Sequence, residues 1–257
     1  MGERMHERTK ALILRAVDYK ESDKILTLLT PQNGKVTASA RGSRKRGSTL
    51  AAGTQLLTYA DLVLYEYKGR WVVKEAAVER QFRGVEQDVE RLSLGCYFAE
   101  VAEALAVEDL PAEELLALVL NSLHVLDKLP DKPLELVKAA FELKVMCLSG
   151  YEPILDTCAA CGVEDPEQAR FHLREGVLHC ATCRGEIGEG ISMPLSPAAL
   201  AAMRHIVYGD HKRLFSFKLD EQSLKQLAGV CEGYLMTQLE RGFGTLDFYK
   251  QMRFPGT

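Results

Sequence analysis

The stretch PQNGKVTASAR, residues 31 to 41, decides the fold prediction because it contains a turn followed by a strand. Asn33-Gly34 favours a type I′ hairpin turn, in which both central residues take positive φ. From Val36 to Ala40, apolar and polar residues alternate, so one face of the strand is apolar and the other meets water. The stretch therefore predicts a β-hairpin whose second strand is half-buried.

Apolar, β-branched segments on both sides of this hairpin extend the sheet. KALILRAVD and DKILTLLT precede it, and LLTYADLVLYEYKG and RWVVKEAAVE follow it, with a short turn at Lys68-Gly69. No long helical pattern interrupts them. About five short antiparallel strands favour a small barrel, and the OB-fold is the common barrel of this size that binds nucleic acid. We therefore predict a five-stranded OB-fold β-barrel over residues 1–80.

From about residue 85 the hydrophobic period becomes helical. Apolar residues recur at i, i+4, i+7 and i+11 from Leu94, and two further stripes follow Pro111 and Pro133. Ser196 is predicted to cap a later helix, and another helix is predicted over residues 221–240. Residues 81–257 are thus predicted to form a helical domain, and the fold class is α+β.

Four of the seven cysteines form two C-x2-C pairs: Cys158 with Cys161, and Cys180 with Cys183. Two residues between cysteines allow a tight turn to aim both thiolates at one ion, and two such turns complete a tetrahedron. Four thiolates close the coordination shell, which leaves no position for an activated water. We predict one structural Zn2+ per chain, held in an element at residues 156–185.

Other interpretations of these cysteines remain open. Two disulfides are possible in principle but are typical of secreted proteins, and a redox CxxC does not need a second matching pair. His172 and His179 lie in the spacer and could replace one cysteine. Gly162 and Gly185 follow the two pairs and suit the expected turns. Three cysteines on helical patterns are expected to be small core residues: Cys96, Cys147 and Cys231.

Charge is distributed unevenly along the chain. The net charge is −4, yet residues 1–80 carry 15 Lys+Arg against 9 Asp+Glu, and the remainder carries 17 against 27. The segment RGSRKRGS, residues 41–48, places four cations in six residues between glycines and serines. Cations at this density favour nucleic-acid binding without sequence choice, although a merely solvated, mobile loop is the alternative. The predicted DNA contacts are Lys35, Arg41, Arg44, Lys45, Arg46, Lys68 and Arg70.

Three aromatic residues near these cations have two possible roles. Tyr65, Tyr67 and Trp71 could stack on bases or pack in the barrel, and the sequence does not decide between the two.

Few sequence features indicate an enzyme or a membrane protein. G-x-x-x-x-G-K-[ST], H-E-x-x-H and G-x-S-x-G are all missing from the sequence, so we expect a protein that is not an enzyme, with an unrecognised nuclease site as the alternative. The N-terminus lacks an apolar stretch, and the longest apolar run, residues 115–120, is too short to span a bilayer. A soluble, cytoplasmic protein without a membrane partner is expected.

Two blocks of sequence resemble the RecO family of bacterial DNA repair proteins. They are YKESDKILTLLTPQNGKVTASARGSRK, residues 19–45, and FELKVMCLSGYEPILDTCAACG, residues 141–162, which HCATC completes. The resemblance covers most of the chain. One departure is STLAAGTQLLTYADL, which leaves the path of the fourth strand open.

The resemblance implies an OB-fold followed by a helical domain with a zinc element, in which the four paired cysteines are ligands and the cations of residues 41–46 face DNA. It also implies a nucleoid-associated protein that binds single- and double-stranded DNA and anneals complementary strands. With RecR, such a protein helps the recombinase to replace the single-strand-binding protein. No cleavage is implied. The alternative function is a zinc-stabilised adaptor that contacts proteins only.

Overall fold

Residues 6–80 form a closed barrel. The structure, a computed structural model, describes residues 6–166, 168–183 and 190–253. The barrel strands are β1 (His6–Tyr19), β2 (Asp23–Thr30), β3 (Gly34–Ala40), β4 (Tyr59–Glu66) and β5 (Trp71–Arg80). They pair in the order β1-β2-β3-β5-β4 and close back onto β1, with only β3 and β5 parallel. The predicted five-stranded OB-like barrel is confirmed.

Alternation along the strands fills the barrel interior. On β3, Val36, Ala38 and Ala40 are buried, while the residues between them stay wholly or partly exposed. β2 contributes Leu26 and Leu28, which are fully buried. Burial of these aliphatic side chains is the main stabilising contribution to the barrel, at about 25 cal/mol per Å2 of apolar surface.

The β2–β3 turn differs from the prediction. Three residues, Pro31 to Asn33, form the loop, and Gly34 alone takes a positive φ, of 56°. The predicted two-residue type I′ turn is therefore wrong at this position. Proline favours the second position of a type I turn, and Gly34 in the left-handed region then leads the chain into β3. The type I′ geometry occurs instead at Lys68 and Gly69, whose φ values are 53° and 70°.

Gly34 also makes a close approach to the segment that follows the helix at residues 89–105. A Cβ at this position would lie 2.2 Å from the carbonyl oxygen of Val107 and 2.5 Å from that of Leu110. The same contact is held by hydrogen bonds from Lys35 N–H to Val107 O (3.2 Å) and from Asp109 N–H to Asn33 O (3.1 Å). The β2–β3 hairpin is thus anchored to the helical segment.

Seven helices lie in the described residues, in the regions where the hydrophobic period is helical. They are α1 (Arg83–Glu86), α2 (Val89–Leu105), α3 (Glu113–Lys128), α4 (Leu134–Leu148), α5 (Pro197–Tyr208), α6 (Glu221–Leu239) and α7 (Gly244–Arg253). Ser196 caps α5 as predicted, because its hydroxyl accepts a hydrogen bond from Ala199 N–H at 3.1 Å. None of the helices that the structure describes has both the length and the hydrophobicity that a bilayer crossing demands.

The chain divides into two compact units. One contains the residues up to Leu129 together with those from Phe243 onward, so that the barrel is joined by α1, α2, α3 and α7. The other is Pro130–Gly242, which contains α4, α5, α6 and a small sheet. The sheet strands are β6 (Ile154–Cys158), β7 (Arg170–His172), β8 (Val177–His179) and β9 (Ser192–Pro194), in the order β6-β8-β7-β9. A domain division at residue 80 remains a prediction.

Candidate nucleic-acid interface and metal centre

Three loops of the barrel are linked by direct contacts. They are the β1–β2 turn (residues 19–22), the loop after β3 (residues 41–48) and the β4–β5 turn (residues 67–70), which we call together the cationic end. Arg44 N–H donates to Ser22 O at 3.0 Å, which joins the first two loops. The Arg41 guanidinium lies 5.1 Å from the centre of the Tyr67 ring, which joins the second and third. In OB-folds, strand-connecting loops of this kind flank the oligonucleotide site.

The loop after β3 is a series of hydrogen-bonded turns. Gly42 N–H donates to the Asp23 carboxylate at 2.8 Å, and this hydrogen bond lowers the pKa of Asp23. Further along, Lys45 N–H donates to Gly42 O (3.1 Å) and Ser48 N–H donates to Lys45 O (3.0 Å). Gly42 and Gly47 have φ values of 67° and 77°, a region that glycine adopts without steric cost. The glycines therefore shape the turns that carry the cations.

The four cations of this loop are not equivalent. Arg44 pairs with Asp18 at 3.1 Å and also donates to the carbonyl oxygens of the β1–β2 turn at 3.3 and 3.4 Å. Arg41, Lys45 and Arg46 are exposed, and within the described residues no carboxylate lies within 4 Å of their charged groups. Three of the four predicted contacts therefore present charge to solvent, and the fourth is shared with an acid of the chain itself.

The other predicted cations separate into two groups. Lys68 and Arg70 are exposed in the β4–β5 turn, so they belong to the cationic end. Lys35 does not, because it lies at the opposite end of β3. Its ammonium donates to Glu103 O of α2 at 3.1 Å, and its side chain is half-buried. Lys35 lies at the start of β3 and lines one groove together with Arg70, while the other six predicted DNA contacts lie in the loop after β3 and the β4–β5 turn.

The aromatic residues occupy different environments. Tyr67 is exposed between two cations, since Lys68 Nζ lies 5.6 Å from its ring centre in addition to the Arg41 contact. Tyr65 is half-buried with its ring centre 6.1 Å from that of His6. Trp71 is half-buried and packs against the barrel core. Of the three aromatic residues, Tyr67 is therefore exposed, whereas Tyr65 and Trp71 are each partly buried.

Sequence reasoning missed two residues of the cationic end. Tyr19 is exposed at the end of β1, and Lys20 follows it with a φ of 53° and its ammonium 5.3 Å from the Tyr19 ring centre. Their position in a turn between the first two predicted strands could have identified them, because that turn borders the ligand face of an OB-fold.

Parallel pairing brings the two cysteine pairs together. β6 ends at Cys158 and β8 ends at His179, directly before Cys180, and the two strands are parallel neighbours. The turns that follow them therefore leave the sheet at the same edge. The Sγ atoms of the four paired cysteines all lie within 4.8 Å of one another.

The spacing of the sulfurs fits a tetrahedral metal site. Cys161 Sγ and Cys180 Sγ are 3.8 Å apart, and zinc–sulfur bonds of about 2.3 Å in a tetrahedron place two sulfurs about 3.8 Å apart. A disulfide needs about 2.05 Å, and all seven cysteines are free thiols. Within the described residues, the group of possible metal ligands consists of four sulfurs and includes neither His172 nor His179.

Backbone hydrogen bonds favour the thiolate form of Cys158. Burial alone would raise its pKa, but N–H groups of residues 160, 161 and 180 lower it to about 6. One of these is Cys180 N–H, which lies 3.3 Å from Cys158 Sγ. A depressed thiol pKa is what a metal ligand requires, because the thiolate is the binding form. Gly162, with a φ of 72°, closes the first turn as predicted, whereas Gly185 lies outside the described residues.

The other three cysteines have the opposite character. Burial raises the pKa of Cys147 to about 11, raises that of Cys96, and places that of the fully buried Cys231 well above its usual value. These thiols stay protonated at neutral pH. Cys231 is a buried core residue as predicted, whereas Cys96 and Cys147 are only partly buried.

A closed OB-like barrel with a cationic end, joined to helices and a four-cysteine cluster, defines an OB-fold protein with an added metal-compatible element. The family model described as Recombination protein O N terminal matches residues 5–82, and Recombination protein O C terminal matches residues 86–247. The chain belongs to the RecO family of DNA repair proteins.

Sequence similarity to named relatives extends along nearly the whole chain. The DNA repair protein RecO of Acetivibrio thermocellus is 32% identical over 245 residues, which cover 95% of this chain and 96% of the relative. That of Symbiobacterium thermophilum is 31% identical over 245 residues, covering 94% and 96%. That of Heliobacterium modesticaldum is 35% identical over 231 residues, covering 88% and 82%.

Proposed function

We propose that this protein is a DNA-binding recombination mediator without enzymatic activity. It binds single- and double-stranded DNA, anneals complementary strands and assists loading of the recombinase during recombinational repair. The observation that carries the proposal is the gathering of six predicted cations from two separate stretches of sequence at the cationic end. Membership of a DNA repair family supports it.

The proposed mechanism is electrostatic. Annealing is limited by repulsion between two polyanions, and exposed Lys and Arg neutralise phosphates without covering the base edges that must pair. Binding of this kind is indifferent to sequence, as annealing of arbitrary strands requires. Residues 81–257 have a net charge of −10, so they are expected to stay off DNA and to meet proteins.

Partners and location follow from the family relationship. RecR and the single-strand-binding protein are the proposed protein partners, and the nucleoid in the cytoplasm is the proposed location. Strand annealing measured with and without the single-strand-binding protein tests whether these two proteins act together. If the RecO-family chain does not accelerate annealing of strands coated with the single-strand-binding protein, this partnership is contradicted.

We also propose that the four-cysteine cluster holds one zinc ion per chain in a structural role. Such an ion would connect the β6 and β8 ends of the small sheet, and it contributes about 10–16 kcal/mol of apparent binding free energy in small zinc-folded elements. Metal analysis of protein purified without chelator should give one zinc per chain. Absence of zinc would remove this part of the proposal. The ligands are Cys158, Cys161, Cys180 and Cys183.

The decisive experiment removes charge at the cationic end. The triple variant R41Q/K45Q/R46Q deletes the three loop cations that have no carboxylate partner within the described residues. Each phosphate contact with a single strand contributes about −0.7 to the slope of log K against log salt concentration, so the slope should become shallower by about 2. Binding is followed by fluorescence anisotropy of a labelled oligonucleotide at several salt concentrations.

A matched control removes the same charge elsewhere. K212Q/R213Q/K218Q replaces three exposed cations of the second unit and should leave the slope nearly unchanged. If both triple variants behave alike, the cationic end is not the DNA site, and the zinc-stabilised adaptor becomes the better proposal. Stable labelled DNA after incubation with protein and magnesium is expected, and degradation would point to a nuclease.

A further inference from the structure

A groove of about 480 Å3 runs along the outer face of β3. β3 and β5 pair over only two positions, Ala38 with Trp71 and Ser39 with Val72, so the first half of β3 has no partner on β5. The walls are the outward side chains of β3, the first residues of β5 and the segment at residues 108–109. The volume falls within the range of about 300–1,000 Å3 that is typical of small-ligand sites.

The charges in the groove oppose its use as a phosphate site. Lys35 and Arg70 line it, but so do Glu108 and Asp109. Lys35 is already bonded to Glu103 O. The two carboxylates repel a phosphate and accept hydrogen bonds from amino groups, which bases carry on their edges. The groove therefore differs from the cationic end, and it suits a neutral ligand with a polar edge.

One side of the groove offers an aromatic surface with hydroxyl groups close by. Trp71 packs against the barrel core and also lines the groove, so its ring is held in place while part of it stays accessible. Thr37 and Ser39 project from the wet face of β3 into the same lining. A tryptophan that is held by the core provides a stacking surface for a planar ring, and hydroxyl groups can donate to or accept from base edges.

The groove is also continuous with the cationic end. Arg70 belongs to both, and β3 leads from the groove directly into Arg41. A strand whose phosphates lie on the cationic end can therefore place a neighbouring base against Trp71. We infer that this groove is a subsite for one unpaired nucleobase, stacked on Trp71, through which the protein distinguishes single-stranded from double-stranded DNA. The inference rests on the proposed DNA-binding function.

The chain reports on this subsite directly, because Trp71 is its only tryptophan. The probes are a fluorescein-labelled oligodeoxycytidylate, whose bases carry amino groups, the same oligonucleotide with a central run of abasic sites, and a duplex. Tryptophan fluorescence should decrease on binding of the intact strand, with the same midpoint as the anisotropy of the label. The duplex should leave it unchanged, because its bases are already paired and stacked. The abasic strand should bind about 5- to 150-fold more weakly, the range expected for one stacked base.

Two substitutions separate stacking from folding. W71L should bring the affinities for intact and abasic strands close together, and W71F should retain part of the difference. Y65L is the matched control, since Tyr65 is a half-buried barrel aromatic outside the groove lining, and it should keep the full difference. Thermal melting of each variant verifies that the barrel is folded.

The outcomes distinguish this inference from the proposed function. Equal binding of intact and abasic strands without a fluorescence change would overturn the nucleobase subsite and leave DNA binding intact. Failure to bind any of the three probes would refute the proposed function and the subsite with it. The subsite would also be overturned if W71F and W71L both melt normally and both keep the full wild-type difference in affinity between intact and abasic strands.

Discussion

Replacement of Lys138 by methionine should destabilise the second unit more than any substitution of an exposed charged residue. The Lys138 side chain is 5% exposed, and its ammonium lies 2.8 Å from Glu142 Oε1 on the same helix and 2.8 Å from Glu232 Oε2 on α6. Burial alone would lower the pKa of Lys138, but the two carboxylates raise it above 10.5. The lysine is therefore charged and bridges α4 to α6.

The K138M variant removes the cation and leaves two acidic side chains close together in a dry interface. Glu142 is 0% exposed, so solvent cannot replace its lost partner, and Glu232, at 20% exposed, is only partly hydrated. Breaking a buried ion pair from one side costs about 3–5 kcal/mol. For a protein of this size, about 2–4 °C is lost per kcal/mol, which gives a decrease in melting temperature of about 6–20 °C.

Urea unfolding followed by circular dichroism, together with thermal melting, measures the loss. The control is K225M, because Lys225 and Glu221 form the same i,i+4 pair on an exposed helix face at 2.7 Å. Both groups of this pair are exposed, so solvent screens their attraction and its loss should barely change the melting temperature. The triple variant K138M/E142L/E232L should recover more than half of the loss, since apolar groups can replace a whole buried ion cluster at little cost.

The pH dependence has a defined sign. Because folding raises the pKa of Lys138 above 10.5, its contribution is fully present below that pH and is lost as the pH rises through the folded value. The difference between wild type and K138M should therefore not shrink between pH 7 and 9. A loss no larger than that of K225M, or a difference that shrinks between pH 7 and 9, would refute the argument.

The remaining predictions concern the barrel and the metal centre. G34A should cost about 3 kcal/mol in urea unfolding, because its Cβ would meet a carbonyl oxygen at 2.2 Å in a positive-φ position, whereas G69A, with nothing within 4 Å, should cost about 1 kcal/mol; equal losses would contradict this. D18N should release Arg44 and steepen the salt slope of single-strand binding by about 0.7, and an unchanged slope would show that Arg44 stays away from phosphate. C161S should reduce bound zinc well below one per chain in metal analysis, and full occupancy would exclude Cys161 as a ligand.

Local pattern accounts for the parts of the molecule that sequence predicted correctly. Alternation of period two places Val36, Ala38 and Ala40 inside the barrel, and the helical stripe from Leu94 lies on α2. The two C-x2-C pairs identify the cysteine cluster without any knowledge of the sheet around them. Each of these patterns lies within a short segment, so the neighbouring residues are enough to produce the structure.

Pairing between distant segments explains what sequence could not supply. Arg44 and Asp18 are far apart in sequence, and only closure of the barrel brings them to 3.1 Å. Lys35 has the composition of a DNA contact, yet docking of α2 gives its ammonium a carbonyl partner at Glu103. In the same way, the environment of Trp71 depends on its pairing with Ala38 of β3, which the sequence does not reveal.

The five barrel strands, the helical remainder, the paired cysteines and the stretch of concentrated positive charge are all predictable from the order of residues. Those features depend on residue type and spacing, which a linear chain displays directly. Three further features become visible only in the folded molecule: which cations share one surface, the parallel pairing of β6 and β8 that brings both cysteine pairs to one edge, and the two carbonyl oxygens that Gly34 must accommodate. Those outcomes depend on contacts between segments that become neighbours only when the backbone has folded and the interior has been packed.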